Sequence, residues 1–549
     1  MASPSRNEQA REGRRLIEDR WVRWDEERAR VAYAQRWWTR QTLGDALKRA
    51  AAETPDRVLV VDGETRVDCR TLHRQATSLA RALLQRAEPG SVVSLMLPNW
   101  HEAATIYLAT HLAGMIINPI LPSLRDRELL FVLEDARSRF IFIPEEFRGH
   151  DYGAMMTRIA PRLSSPPTVV TVRGAETAHV PYPSLFAEAG HREFPSVEPD
   201  AVRFVLYTSG TTGTPKGVLH TQNSIHALIR QLGRHWLVER GDRFLVPSPI
   251  SHIGGSIYAF ECPLLLGTTA VLLDRWDAQV AVDLALRHGC THMAGATPFL
   301  EGLLEAAKQA DTRLPALKVF VCGGASVPPS LVRKAAAYFD RTIVTRVYGS
   351  TEVPVTTVGV PNRGDPAHAA ETDGRPAIAE VKLVDASGRR AAEGEIRARG
   401  PQMLVGYLHA DQEADVFDDE GYYRTGDLGR WVDGDYLVVS GRSKEIIIRN
   451  GENISPKEVE DYLKEHPNIR EVAIVGLPHP KTGERVVAAI VPEHPPAPDV
   501  IDLRAFLKEL GVASFKIPED VFAMDSLPKN DAQKTLKHEI KALILQLPR

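Results

Sequence analysis

Between residues 57 and about 440, short apolar runs alternate with stretches of helical period. The runs at 58–61, 92–97, 140–143, 204–207, 244–246, 270–273, 319–322 and 343–347 are brief, rich in β-branched and aromatic residues, and read as buried strands. Stretches at 72–85, 102–114, 278–288 and 330–339 carry the spacing of amphipathic helices. Strand and helix in alternation predict an α/β architecture with largely parallel sheets. A boundary is expected near Gly441, dividing a large domain, 1–441, from a small α+β domain, 442–549. In the small domain, Ser455-Pro456-Lys457-Glu458 opens a helix with a capping box, strands follow at 471–475 and 485–491, and a helix at 501–510. Residues 8–36 read as one charged amphipathic helix, an arm packed on the body of the protein. Interleaved charges of both signs disfavour a membrane-surface role for it.

Composition narrows the function classes. Of 549 residues, 43% are hydrophobic and 25% charged, with 67 Lys+Arg against 71 Asp+Glu. A net charge of −4 gives no bulk attraction for nucleic acid or an anionic membrane. The four cysteines, Cys69, Cys262, Cys290 and Cys322, lack CxxC spacing, so neither a disulfide framework nor a zinc site is expected. The longest apolar stretch, 106–121, contains His111 and Asn118 and falls short of the ~20 residues of a membrane span. Residues 1–40 hold no apolar stretch of secretory type, and a cytoplasmic location is the expectation.

The most informative segment is Tyr207-Thr208-Ser209-Gly210-Thr211-Thr212-Gly213-Thr214-Pro215-Lys216-Gly217. Its three glycines let backbone N–H groups converge, its five Ser and Thr hydroxyls add donors, and Lys216 adds charge on a flexible stem. This is a phosphate cradle by composition. Pro215 and Gly217 separate it from a Walker A loop.

That run resembles the signature loop of the adenylate-forming enzymes, which include acyl-CoA synthetases, aryl-acid ligases, luciferases and peptide-synthetase adenylation domains. Further matches follow in the family's order: Pro249-Ile250-Ser251-His252, Cys322-Gly323-Gly324-Ala325, Tyr348-Gly349-Ser350-Thr351-Glu352, Tyr423-Arg424-Thr425-Gly426-Asp427, Gly441-Arg442-Ser443-Lys444-Glu445 and Asn450-Gly451-Glu452-Asn453-Ile454. The last is Leu527-Pro528-Lys529, leading to Lys534. The segment from Gly441 to Glu460 is most similar to acid–CoA ligases of the cyclohexanecarboxylate and aryl-acid type.

The resemblance implies two steps: a carboxylate attacks the α-phosphorus of ATP and releases pyrophosphate, then coenzyme A displaces AMP. It implies that Thr208, Ser209, Gly210, Thr211, Thr212, Gly213 and Lys216 wrap the outer phosphates, and that Thr351 touches the α-phosphate. Glu352 would hold Mg²⁺, a cation suited to carboxylate oxygen. Tyr348 would stack on adenine against Gly323, Gly324 and Ala325, with Gly349 turning the chain, while Asp427 takes the ribose hydroxyls and Arg442 the ribose or phosphate. His252 would gate the acyl pocket without acting as a base, because a carboxylic acid is already ionised at neutral pH. Lys444 would be the hinge about which the small domain rotates. One face of that domain brings Lys534 to the nucleotide; the other brings the Asn450, Gly451 and Glu452 loop beside the coenzyme A channel. Gln533 stands where the family has glycine before the catalytic lysine, so the loop there is expected either to take a different path or to order differently over the nucleotide.

No carboxylate stands in the segment after Pro249 where amino-acid-activating members carry one, which disfavours an amino acid substrate. The expected acyl wall combines His252, Ile253, Gly254, Gly255, Ser256, Ala296 and Gly323, apolar with several small residues, and suits a hydrophobic acid that is cyclic, aromatic or bulky. A fatty acid stays open. Two alternatives stand beside the ligase reading. One is an enzyme that hands its adenylate to a separate carrier protein or partner ligase; the other is a nucleotide-binding sensor without turnover.

Overall fold

The computed structural model describes residues 13–18, 20–174, 178–187, 190, 192–208, 215–325, 327–339, 341–449, 452–530 and 533–546. Each of the eight apolar runs read between residues 57 and 440 forms a strand and each of the four helical stretches there a helix, with ends shifted by at most three residues. Most of these elements build two large sheets.

In the eight-stranded sheet, Thr168–Val172, Ser138–Pro144, Val92–Leu95, Ile116–Pro119 and Val202–Thr208 run parallel. In the seven-stranded sheet the parallel order is Ile343–Val347, Val319–Gly323, His292–Gly295, Arg243–Val246, Thr269–Leu272, Val58–Asp62. Helices Cys69–Leu84, His101–Leu112 and Gln222–His235 share one core with strands of both sheets. His101–Leu112 is buried along nearly its whole length, as a helix covered by packing partners on all sides must be. Parallel strands end together, and that edge is where open α/β sheets bind ligands.

A four-stranded antiparallel sheet follows, Glu380–Val384, Glu393–Arg399, Tyr423–Val432 and Tyr436–Arg442. Ile447–Arg449, Glu452–Ile454, Ile469–His479, Gly483–Pro492 and Asp520–Ala523 form a further sheet. Helices Pro456–Leu463 and Val500–Glu509 pack on it around Ile447, Val459, Ile474, Val486 and Leu503, a core of its own. Ser455 Oγ accepts from the Glu458 N–H at 3.3 Å, but the Glu458 carboxylate reaches Lys516 instead of closing the capping box.

The N-terminal expectation is corrected. Residues 8–12 lie outside the described residues; the rest is a β-hairpin, Arg14–Ile17 with Arg20–Arg23, followed by the helix Glu26–Ala34. Glu18, at a φ of 49°, makes the turn and offers its carboxylate to the buried Arg203 at 2.6 Å. Ile17 and Val22 meanwhile pack beside Val205 and Leu219. These tertiary partners override local helix propensity. Beyond the hairpin, Trp24 lies 5.8 Å from Trp38, whose indole N–H donates to the Pro401 carbonyl at 2.9 Å, so the arm does pack on the body. Among the described residues no helix is long and apolar enough to cross a membrane. All four cysteines are buried free thiols.

Candidate active site

The strands Val319–Gly323 and Ile343–Val347 pair up to their last residues, Gly323 opposite Val347. A Cβ on Gly323 would stand 2.7 Å from the Val347 carbonyl oxygen, so only glycine permits this approach. Tyr348, the next residue, donates its hydroxyl to Asp427 Oδ2 at 2.6 Å. Arg442 Nε lies 3.0 Å from the other Asp427 oxygen, and the two residues are cross-strand partners. Burial raises the Asp427 carboxyl above its ordinary range, with Arg442 opposing, and pushes the Tyr348 phenol well up.

The Tyr348–Glu352 segment then curls back, with a Cβ on Gly349 only 2.6 Å from the Val355 nitrogen. His220 Nε2 lies 2.8 Å from the Thr351 carbonyl and, buried, has its imidazole held down to about 4, so the neutral ring donates there. Glu352 is buried and accepts from the Tyr407 hydroxyl at 3.1 Å. The ammonium of Lys216 sits 5.2 Å from the centre of that tyrosine ring. Tyr407 therefore joins Lys216 to Glu352.

Lys534 arrives from a hairpin near the end of the chain. Its N–H donates to Asn530 Oδ1 at 2.9 Å, and its carbonyl accepts from Asn530 N–H at 3.0 Å. Gln533 holds the turn with a φ of 60°, the left-handed conformation a glycine would adopt freely. The Lys534 side chain reaches to 4.0 Å from the Cβ position of Gly324, which itself has a φ of 82°. Burial lowers the ammonium below its ordinary value and Arg442 adds to this, while Asp427 and Glu352 oppose. Two exposed cations and two buried carboxylates thus face one site.

His252 faces the same lysine. Burial, then the Lys534 charge, holds its imidazole down to about 4, and its Nε2 is buried without a partner. The turn that carries it is built by Asn99, whose amide N–H₂ donates to the Val246 and Ser248 carbonyls while its oxygen accepts from Ile250 N–H. A Cβ on Gly255 would lie 2.0 Å from the Pro249 carbonyl oxygen, so the helix Ile253–Ser256 starts in contact with that turn. Ala296, buried, ends the neighbouring strand and caps the helix Thr297–Gln309.

Other expected residues are placed less fully. Thr208 and Lys216 face each other across an antiparallel pair, which the loop between them must bridge; Ser209, Gly210, Thr211, Thr212 and Gly213 lie outside the described residues. So do Asn450 and Gly451, while Glu452 is exposed. Lys444, exposed, lies in the short turn Ser443–Glu445 between two sheets. Asn99, His220 and Tyr407 carried no sequence signal beyond being polar within apolar runs.

A family model described as AMP-binding enzyme matches residues 47–408, and one described as AMP-binding enzyme C-terminal domain matches 458–534. The medium-chain fatty-acid–CoA ligase of Escherichia coli (strain K12) is 32% identical over 538 residues, 95% of this chain and 94% of that protein. A 3-[(3aS,4S,7aS)-7a-methyl-1,5-dioxo-octahydro-1H-inden-4-yl]propanoyl:CoA ligase of Rhodococcus jostii (strain RHA1) is 30% identical, covering 91% of this chain and 98% of that one. Among solved structures, o-succinylbenzoate CoA synthetase of Bacillus subtilis with its acyl-adenylate intermediate superposes with a TM-score of 0.80 at 26% identity, over 93% of this chain and 99% of that one.

Proposed function

The chain belongs to the AMP-binding enzymes, and on that premise we propose that it is an AMP-forming acid–CoA ligase acting on a hydrophobic carboxylic acid. The acid's carboxylate attacks the α-phosphorus of ATP and pyrophosphate leaves; the thiolate of coenzyme A then displaces AMP from the acyl-adenylate. The observation that carries this reading is Lys534, brought from the far end of the chain to the place where exposed Arg442 and half-buried His252 meet the buried Asp427 and Glu352.

The first step joins two anions, so its barrier falls mainly through positioning and cationic donors. Lys534 bridges the incoming carboxylate and the α-phosphate. Asp427, already accepting from Tyr348 and paired with Arg442, takes the ribose hydroxyls, and Tyr348 with Gly323, Gly324 and Ala325 bounds the adenine. Thr351 meets the α-phosphate, and the 208–216 segment takes the outer phosphates. Neutral His252 offers its unpartnered Nε2 to the acid without removing a proton. Glu352 keeps one carboxylate oxygen free of the Tyr407 hydrogen bond, a donor set that fits Mg²⁺ shared with substrate phosphate. Magnesium would supply charge neutralisation there.

On this reading the arrangement that sets Lys534 against Gly324 is the adenylating one, a role supported by the approach of its side chain to 4.0 Å from the Gly324 Cβ position. We assign 1–441 to the large domain and 442–549 to a small domain that turns about Lys444, exchanging Lys534 for the 450–452 loop in the thioester step. Relatives named for a medium-chain fatty acid and for a bicyclic dioxo acid support an apolar, bulky substrate. The test is incubation with ATP, Mg²⁺, coenzyme A and a panel of carboxylic acids, with pyrophosphate, AMP and thioester measured separately. All three are expected in equal amounts; pyrophosphate without thioester would move the acceptor from coenzyme A to another thiol.

A further inference from the structure

The wall of the acyl pocket continues inward as an unbroken helical run. After Ile253–Ser256 the winding loosens to a π turn, Ile257–Glu261, and tightens again at Cys262–Leu265. Eight residues separate Ile253 from Glu261, about 10–12 Å along the axis. The wider π turn offsets the drift of a plain α-helix, so Ile253, Ile257 and Glu261 follow one side of the run. Residues 257–260 are apolar and buried in the central core. Glu261 is neither expected nor explained by that core.

Three helical segments converge on it. Tyr107 and His111 stand one turn apart on His101–Leu112, and Gln222 and His226 one turn apart on Gln222–His235. Glu261, His226, Gln222 and His111 are each no more than 4% exposed. The Tyr107 hydroxyl donates to Glu261 Oε1 at 2.6 Å, and Gln222 Nε2 lies 3.4 Å from His226 Nε2. Glu261 Oε2 comes within 4.0 Å of the same imidazole nitrogen. Four polar atoms remain buried without partners: Glu261 Oε2, His226 Nδ1, Gln222 Oε1 and His111 Nε2. A buried polar group without a partner is destabilising, so four together in an apolar core call for something that engages them. Burial brings the Glu261 carboxyl up to about 7, so near neutrality it both donates and accepts.

We propose that this cluster is the floor of the acyl pocket and recognises an oxygen-bearing group, a hydroxyl or ketone, at the far end of an otherwise apolar carboxylic acid. Glu261 and His226 contact that oxygen and set specificity; His252 holds the carboxylate at the other end. The inference rests on the ligase reading above and names its substrate class. Aromatic packing of Phe204 and Phe260 around Tyr107, at 5.4 and 4.6 Å between ring centres, keeps the surroundings of the cluster apolar. A site built to hydrogen-bond an oxygen rejects the analogue lacking it, because its polar groups are then buried unpaired.

The experiment compares matched acids of equal length, a plain saturated medium-chain or bicyclic acid and its counterpart carrying a distal hydroxyl or ketone. Acid-dependent pyrophosphate release gives kcat/KM for each. The full-length protein is expected to favour the oxygenated member at least tenfold, chiefly through KM. In Glu261→Leu that preference should fall below twofold or reverse, with Glu261→Gln between the two and ATP-induced thermal stabilisation unchanged. Equal or better use of the plain acids by the unaltered protein overturns the proposal, even if no variant folds. So does a preference that survives Glu261→Leu. Release of pyrophosphate with no acid in either set overturns the ligase reading itself, a distinct result.

Discussion

Lys534 and Arg442, both exposed, place two cations beside each other where a polyanion would enter. Removing Lys534 should therefore act on chemistry: Lys534→Ala is expected to lower ATP–pyrophosphate exchange by about 10²–10³ while sparing thioester formation from supplied acyl-adenylate. Exchange near the unaltered rate would contradict that role. Tyr407 acts through another residue. Tyr407→Phe removes the hydroxyl that holds Glu352 and keeps the ring beside Lys216, so the Mg²⁺ concentration for half-maximal rate should rise about tenfold, the worth of one hydrogen bond to a charged group. An unchanged Mg²⁺ titration would remove Tyr407 from the site. Residues such as Lys216, Glu352 and Asp427 stand out in the sequence because their motifs are local. Tyr407, His220 and Asn99 do not, since each serves a segment far along the chain that only folding brings near.

Turns carry the site, and two of them are held at a cost or by a missing side chain. Gln533 adopts a φ of 60° where glycine would be unstrained. Relieving about 1 kcal/mol in Gln533→Gly should speed the exchange reaction roughly fivefold by populating the adenylating arrangement, with the thioester step unchanged. Slower exchange would mean that the glutamine side chain itself contributes. Gly255→Ala has no room, its Cβ falling on the Pro249 carbonyl, and should displace His252 and raise KM for the acid more than for ATP in initial-rate measurements. The parallel strands and helices read from the sequence were legible because each is an uninterrupted apolar run or a clean amphipathic period; strands such as Ile116–Pro119 and His292–Gly295, short and broken by polar or small residues, were not. The hairpin at Arg14–Ile17 and Arg20–Arg23 was not: its charged residues mimic a helical pattern, and what selects the strand is the distant Arg203 and the sheet beneath. The antiparallel sheet ending at Arg442 was missed because its half-exposed strands carry charges through their apolar alternation.

Across the molecule, polar groups are concentrated where the two large sheets and their helices meet, and this sets the response to acid. Four histidines, the buried His111, His220 and His226 and the half-buried His252, are held at about 4, 4, 3 and 4 by desolvation, with the Lys534 charge adding to it at His252. Their folded values lie below the unfolded one, so their contribution is complete above about pH 6.5 and is lost as pH falls toward 4. Glu261, raised to about 7, opposes: its stabilisation is present below about 4.5 and lost as pH rises through 7. Four protons against one make the net sign destabilising in acid, and urea midpoints should fall steadily between pH 6.5 and 4.5. His226→Phe should flatten that slope; an unchanged slope would show that His226 does not titrate with unfolding. The near-balanced charge of the chain conceals this interior, as it conceals the cations gathered at the nucleotide site. The most direct measurement of the chemistry itself follows heavy oxygen from a labelled carboxylic acid during turnover with ATP and coenzyme A. Acyl-adenylate chemistry requires label in the phosphate of AMP and none in pyrophosphate; ADP as product, or label in inorganic phosphate, would contradict it.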